Sequence, residues 1–372
     1  MCVVCNERSS LAIAIHNNEC SAGHSNAPNC MSVWVISQDK MGQWVGAMKS
    51  ANMRVVAPVE EDEMFVFREI DTPDEIRWDY TQSRWAPKEF LFPRTEPLFC
   101  FRFNGDDVQL IDVESDARET VLLAVRPCDA AGFDALAKVF LTDYEDPFFA
   151  TRREHTIIVA LACTQPMPTC FCTAVGLSPA STDGVDLLLC PVDGRYLLRA
   201  ITEKGERLIQ IASELFEPAD DAVQARAQEV QAHAEAQLPP RGKLENIADV
   251  LMNKFESELW EELSRRCLSC GACTYVCPSC SCFDVADEGN VWGGCRYRNW
   301  DSCGFAMFTL HASGHNPRPT QMHRCRQRVM HKFSYFPARF GRNMCVGCGR
   351  CIQVCPVGMD IYQIAEAMSA VS

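Results

Sequence analysis

CLSCGACTYVCP at residues 267–278 and CVGCGRCIQVCP at residues 345–356 are one pattern written twice. Each holds three cysteines two residues apart, then a fourth set off by three residues and followed by proline. Three such thiolates wrap one [4Fe–4S] cubane from a single turning loop, and in two-cluster ferredoxins the fourth cysteine crosses to the other cluster. The pattern therefore pairs Cys267, Cys270, Cys273 with Cys355 around one cluster, and Cys345, Cys348, Cys351 with Cys277 around the other. Zinc sites usually draw on paired C-x-x-C ligands, and a disulfide framework belongs to small secreted domains, so neither explains a third cysteine at the same interval twice over. Gly271 and Gly349 occupy matching positions where backbone amides turn toward sulfide, as do Ala272 and Arg350.

The chain of 372 residues is 47% hydrophobic, ample for real cores and enough for two or three domains. Its 23 cysteines bunch in cluster motifs, which points to a reducing cytosol. No apolar run reaches a membrane-spanning length, and the first residues do not read as a signal peptide. Net charge is −14, yet residues 296–342 hold nine Lys or Arg against one acid, Asp301. A chain this acidic repels phosphate backbones, so the basic segment reads as a docking face or a charge counterweight and not as a nucleic-acid site.

Residues 1–30, with Cys2, Cys5, Cys20, Cys30, His16 and His24, match no common metal spacing and read as a tail or as sequence upstream of a start at Met31. From there the fold class expected is α+β. An α/β domain over 31–240 precedes a mainly helical, two-cluster ferredoxin-like domain over 241–372, interrupted by a long basic insertion at 278–344. The helix SQDKMGQWVGAMKSA puts Met41, Trp44, Val45 and Met48 on one face, and MRVVAPV follows as a strand. TVLLAV, AAGFDALAKVFL and TIIVALAC make a β-α-β unit with parallel strands. That topology sends Cys128 and Cys163 to one C-terminal sheet edge, where ligands gather. Cys170 and Cys172 lie a few residues on, in CFC. The four either hold a third cluster, the reading preferred here, or are buried structural thiols.

Cys100 and Cys190 read as lone core thiols, and Glu206–Glu217 and Asp220–Gln237 as helices. LPPRG at 238–242 breaks the second and marks the domain boundary, and one amphipathic helix is expected from about Lys243 to Arg266. Within the insertion, Cys280, Cys282, Cys295, Cys303 and Cys325 accompany His311, His315, His323 and His331. Cys280 and Cys282 either line the first cluster or are spare, and the histidines read as packing. Arg318, Arg324, Arg326 and Arg328 either dock an acidic partner or tune a cluster from close range, and docking is expected from Arg324 and Arg328, at i and i+4 in MHRCRQRVMHKF. Tuning, if any, is expected from Arg296 and Arg298, which lie nearer in sequence to the first motif.

The stretches VRPCDAAGFDAL, CTQPMPTCFC, CLSCGACTYVCPSCSC, RNWDSC, GHNPRPTQMHRCRQRVMHKF and CVGCGRCIQVCP together resemble one family. It comprises the iron–sulfur beta subunit of cytoplasmic sulfhydrogenases, the iron–sulfur subunit of anaerobic sulfite reductase, and the dicluster subunit of flavin oxidoreductases linked to heterodisulfide reductase. The resemblance runs from about Met31 to the C-terminus and departs at residues 1–30 and at Cys325. It implies a cytoplasmic subunit passing electrons between an NAD(P)H-linked FAD flavoprotein and a terminal reductase or hydrogenase subunit. VRPCD and CFC recur together in such proteins, which favours the third cluster. Independently, the chain has no G-x-G-x-x-G after a strand and no P-loop, and one-electron carriers need a partner to complete hydride chemistry. The alternatives are a self-contained reductase of sulfur species at an open cluster, or a redox-sensing module.

Overall fold

The computed structural model describes residues 33–370, and the extension read over residues 1–30 lies outside the described residues. In chain order the strands are β1 (Val33–Ser37), β2 (Arg54–Glu61), β3 (Met64–Glu69), β4 (Thr95–Asn104), β5 (Asp107–Asp112), β6 (Thr120–Val125), β7 (Thr156–Leu161), β8 (Leu187–Val192), β9 (Arg195–Ala200), β10 (Glu217–Pro218), β11 (Phe283–Asn290) and β12 (Gly293–Trp300). They form a mixed eight-stranded sheet, ordered β10-β1-β9-β8-β7-β6-β2-β3, and a second sheet ordered β11-β12-β4-β5.

TVLLAV and TIIVALAC become β6 and β7, parallel neighbours at the centre of the larger sheet with every residue buried. Continuous apolar runs suit this place because helices cover both faces of a parallel sheet. The crossover helix Pro127–Leu141 packs Ala130, Phe133 and Leu136 into that core. The helix Met41–Ser50 buries the four residues expected, Met41, Trp44, Val45 and Met48. At the end of β6 the register slips between Leu122 and Val125, and Ala124 takes a left-handed φ of 59° while its carbonyl accepts from Tyr80 Oη at 2.6 Å. Such bulges re-aim a strand end, here the one that launches Arg126-Pro127-Cys128.

The second sheet joins distant parts of the chain. β11 and β12, a hairpin inside the insertion, pair antiparallel with the β4–β5 hairpin through β12 and β4. Cys295 faces Cys100 across that pairing and is joined to it by a disulfide. Cys100 is thus no lone core thiol; its partner lies 195 residues away, beyond any local reading. Cys190 is buried as expected.

Two helical expectations change. The segment 243–266 forms two short helices, Ile247–Asn253 and Leu259–Ser264, because the Lys254 carbonyl accepts from the Trp260 indole and Ser257 Oγ accepts from Leu259 N–H. Side chains that capture backbone groups in this way compete with helix continuation. The helix at 206–217 covers Glu203–Gln210, and the chain then turns into β10 against β1. A separate core of Leu251, Trp260, Val329, Phe333, Ile361 and Met368 supports the cysteine motifs. No described helix is long and apolar enough to cross a membrane.

Candidate metal centres

Both twin motifs fold alike. Gly271 and Gly349 adopt left-handed φ of 74° and 73° and start one-turn helices, Ala272–Tyr275 and Arg350–Gln353, that deliver Cys277 and Cys355. One cavity is lined by Cys267, Cys270, Cys273 and Cys355. A second is lined by Cys345, Cys348, Cys351 and Cys277. The crossing of each fourth cysteine to the other loop is therefore visible in the walls themselves. Cys351 and Arg328 line both cavities, so the two adjoin. Among the described residues no three His, Cys, Asp or Glu side chains converge as they would around a single metal ion. The thiols stand around cavity walls instead.

Cys128, Cys163, Cys170 and Cys172 meet at a third cavity on the C-terminal edge of β6 and β7. Gly347 and Cys348 line both this cavity and the second. Their loops touch backbone to backbone: Phe171 N–H donates to Gly347 C=O at 2.7 Å, and a Cβ on Gly347 would lie 2.5 Å from Cys172 N. Burial pushes the Cys170, Cys172 and Cys345 thiols up to about 12. Such thiols stay protonated at neutral pH until a metal takes them as thiolates, releasing the proton.

Basic side chains are buried around the cavities. Lys332 is 3% exposed, and its Nζ donates to Cys277 Sγ at 3.3 Å and Ser279 Oγ at 3.1 Å. Arg328 Nε is buried without a hydrogen-bond partner. Arg350, 1% exposed, makes a two-point ion pair with buried Asp129, at 2.6 and 2.9 Å, and donates to Ser83. Lys88 Nζ donates to the carbonyls of Cys280 and Thr274 and lies over the Trp300 ring. Arg328 and Lys332 line these thiol-walled cavities and, among the described residues, pair with no carboxylate, which fits an anionic iron–sulfur group whose negative charge would compensate them.

Of the arginines expected at a docking face, Arg318 is half-buried, Arg328 lines two of the cavities, and the other two are internal. Arg324 and Arg326 are buried, donating to carbonyls of Gly304 and Phe255, because the helix Gln321–Met330 packs against the short helices before the first motif. Arg298 is buried in ion pairs with Glu96 and Asp146, while Arg339 and Arg342 pair with Asp143, Asp134 and Asp183. The basic segment thus neutralises acids of the preceding chain, the counterweight reading. Arg296, expected near the first motif, pairs with Asp287 on the β11–β12 hairpin instead.

Cys325 lines the first cavity beside its four cysteines and is pushed up to about 12 by burial. Cys280 hydrogen-bonds Cys277, and Cys303 hydrogen-bonds Cys282, lowering the latter thiol to about 7. Sequence reasoning missed Asp129 and Lys332. Asp129 stood in view within VRPCD, but its partner is 221 residues away.

Residues 266–359 match the 4Fe-4S dicluster domain family, which defines the class as an iron–sulfur electron carrier. The chain is also 32% identical over 314 residues to sulfhydrogenase 2 subunit beta of Pyrococcus furiosus, covering 84% of this chain and 91% of that protein. It belongs to the sulfhydrogenase beta-like family of iron–sulfur subunits.

Proposed function

We propose that this chain relays single electrons through three [4Fe–4S] sites in a row, between an NAD(P)H-linked FAD flavoprotein and a terminal reductase or hydrogenase subunit of a cytoplasmic complex. One observation carries the reading: the first and second cavities share Cys351 and Arg328, and the second and third share Gly347 and Cys348. Bound clusters supply reversible one-electron chemistry there. The protein's part is to hold the thiols, exclude water from the middle site and leave the first site approachable. Cys277, Cys345 and Cys348 of the middle set are buried, whereas Cys270 at one end is exposed beside Leu268, 62% exposed. The name of the Pyrococcus furiosus relative supports a hydrogenase-type partner.

The test is a comparison of reductants. Anaerobically purified chain should bleach with dithionite but not with NADH or NADPH, and should gain nicotinamide-dependent reduction once its flavoprotein is added. Rapid bleaching by NADPH alone would sink the relay reading.

A further inference from the structure

Arg328 and Lys332 lie one helical turn apart, where the helix Gln321–Met330 passes into a π-helical turn, His331–Tyr335. Turns of this kind are rare and cluster at functional positions. The added residue of the wider turn changes which face follows, and both cations end inside. Arg328 lines the first and second cavities together, its buried Nε has no hydrogen-bond partner, and among the described residues no carboxylate pairs with it. Lys332 lines the second alone, its ammonium on Cys277 Sγ and Ser279 Oγ and, among the described residues, on no carboxylate. A cation in such a place is strongly destabilising unless an anion answers it.

We propose that Arg328 and Lys332 are the fixed counter-charges of the two ferredoxin-type sites, which hold both sites at raised reduction potential, Arg328 acting on the pair and Lys332 on the Cys277 site. The proposal rests on the relay reading and assigns both as positioning residues. When a site is reduced, one electron enters, no covalent bond forms or breaks, and the added negative charge is met by cations already in place. The step as proposed takes up no proton. Fixed charge at short range in a low-dielectric interior acts on the reduced form more than on the oxidised one.

The experiment uses the complete iron-loaded chain. Iron is counted first, and its absence from the unmodified protein would overturn the relay reading itself, independently of any arginine. Potentiometric titration followed by EPR then compares Arg328→Met and Lys332→Met with the charge-keeping Arg328→Lys and Lys332→Arg. Arg328→Met should lower the reduced-to-oxidised ratio of both sites about tenfold at fixed poise, about 59 mV for one electron. Lys332→Met should do so at one site only, and the charge-keeping variants should stay near the parent. Methionine variants with unchanged midpoints, or lysine and methionine at position 328 behaving alike, would overturn the proposal. Should a methionine variant fail to hold iron, the unmodified protein still decides. Its midpoints should not move between pH 6.5 and 8.5, and a fall of about 59 mV per pH unit would show protons, not these cations, balancing the electron.

Discussion

Asp129 shows how much one buried residue can hold. Its carboxylate is fully buried and takes both ends of Arg350, tying the crossover helix behind Cys128 to the loop that carries Cys348. Removing one member of such a pair leaves an uncompensated buried charge, a loss of about 3–5 kcal/mol. Asp129→Ala should therefore lower the unfolding midpoint sharply, while Asp129→Ala with Arg350→Met should recover part of it. His331 gives a pH signature at the same scale. Burial, with Lys332 and Arg318 nearby, lowers it from 6.5 to about 4. Folded His331 stays neutral where unfolded histidine takes up a proton, so stability is full above 6.5 and falls as pH drops toward 4. Between pH 7.5 and 5.5 the loss from this group should be about 1 kcal/mol, and His331→Gln should flatten that part of a denaturation profile.

Elements were legible where their signals were local. The runs TVLLAV and TIIVALAC announced β6 and β7, and the Met41, Trp44, Val45, Met48 stripe announced its helix, because burial of these stretches depends on their own periodicity. The helix Gln321–Met330 was misread on its charges. Arginine ordinarily marks a solvent face, but here Arg324 and Arg326 feed buried carbonyls and Arg328 faces two cavities. The insertion hairpin was also hidden, since the strand that receives β12 lies in another part of the chain. The Cys100–Cys295 bridge makes that junction testable. Cross-links closing loops this long stabilise by about 2–5 kcal/mol, so Cys295→Ser should lower the denaturation midpoint of air-oxidised protein. Dithiothreitol should bring the parent down to the variant; equal midpoints before reductant would mean that the strands hold without the bridge.

At the scale of the whole molecule, the twin motifs disclosed eight cysteines through spacing alone, whereas the third set required topology. Nothing in VRPCD, LAC or CFC carries ferredoxin spacing, and the four thiols come together only because β6 and β7 are parallel and end on one edge. Iron content tests that step. With three cubanes of four irons each, anaerobically prepared chain should hold about twelve iron and twelve sulfide. Cys170→Ser should reduce this to about eight, since it removes one ligand from the third cavity only. The twin-motif sites should keep their iron in that variant, as Cys170 lines neither of their cavities and meets them only through its thiol's contact with the Cys348 carbonyl at 3.6 Å. Cys190→Ser serves as the control: Cys190 is buried in the β8–β9 core with its thiol near the Ala227 carbonyl, away from all three cavities, so iron should stay at the parent value. A parent value near eight that Cys170→Ser leaves untouched would make the third set structural thiols, and the row of sites would end at the second cavity.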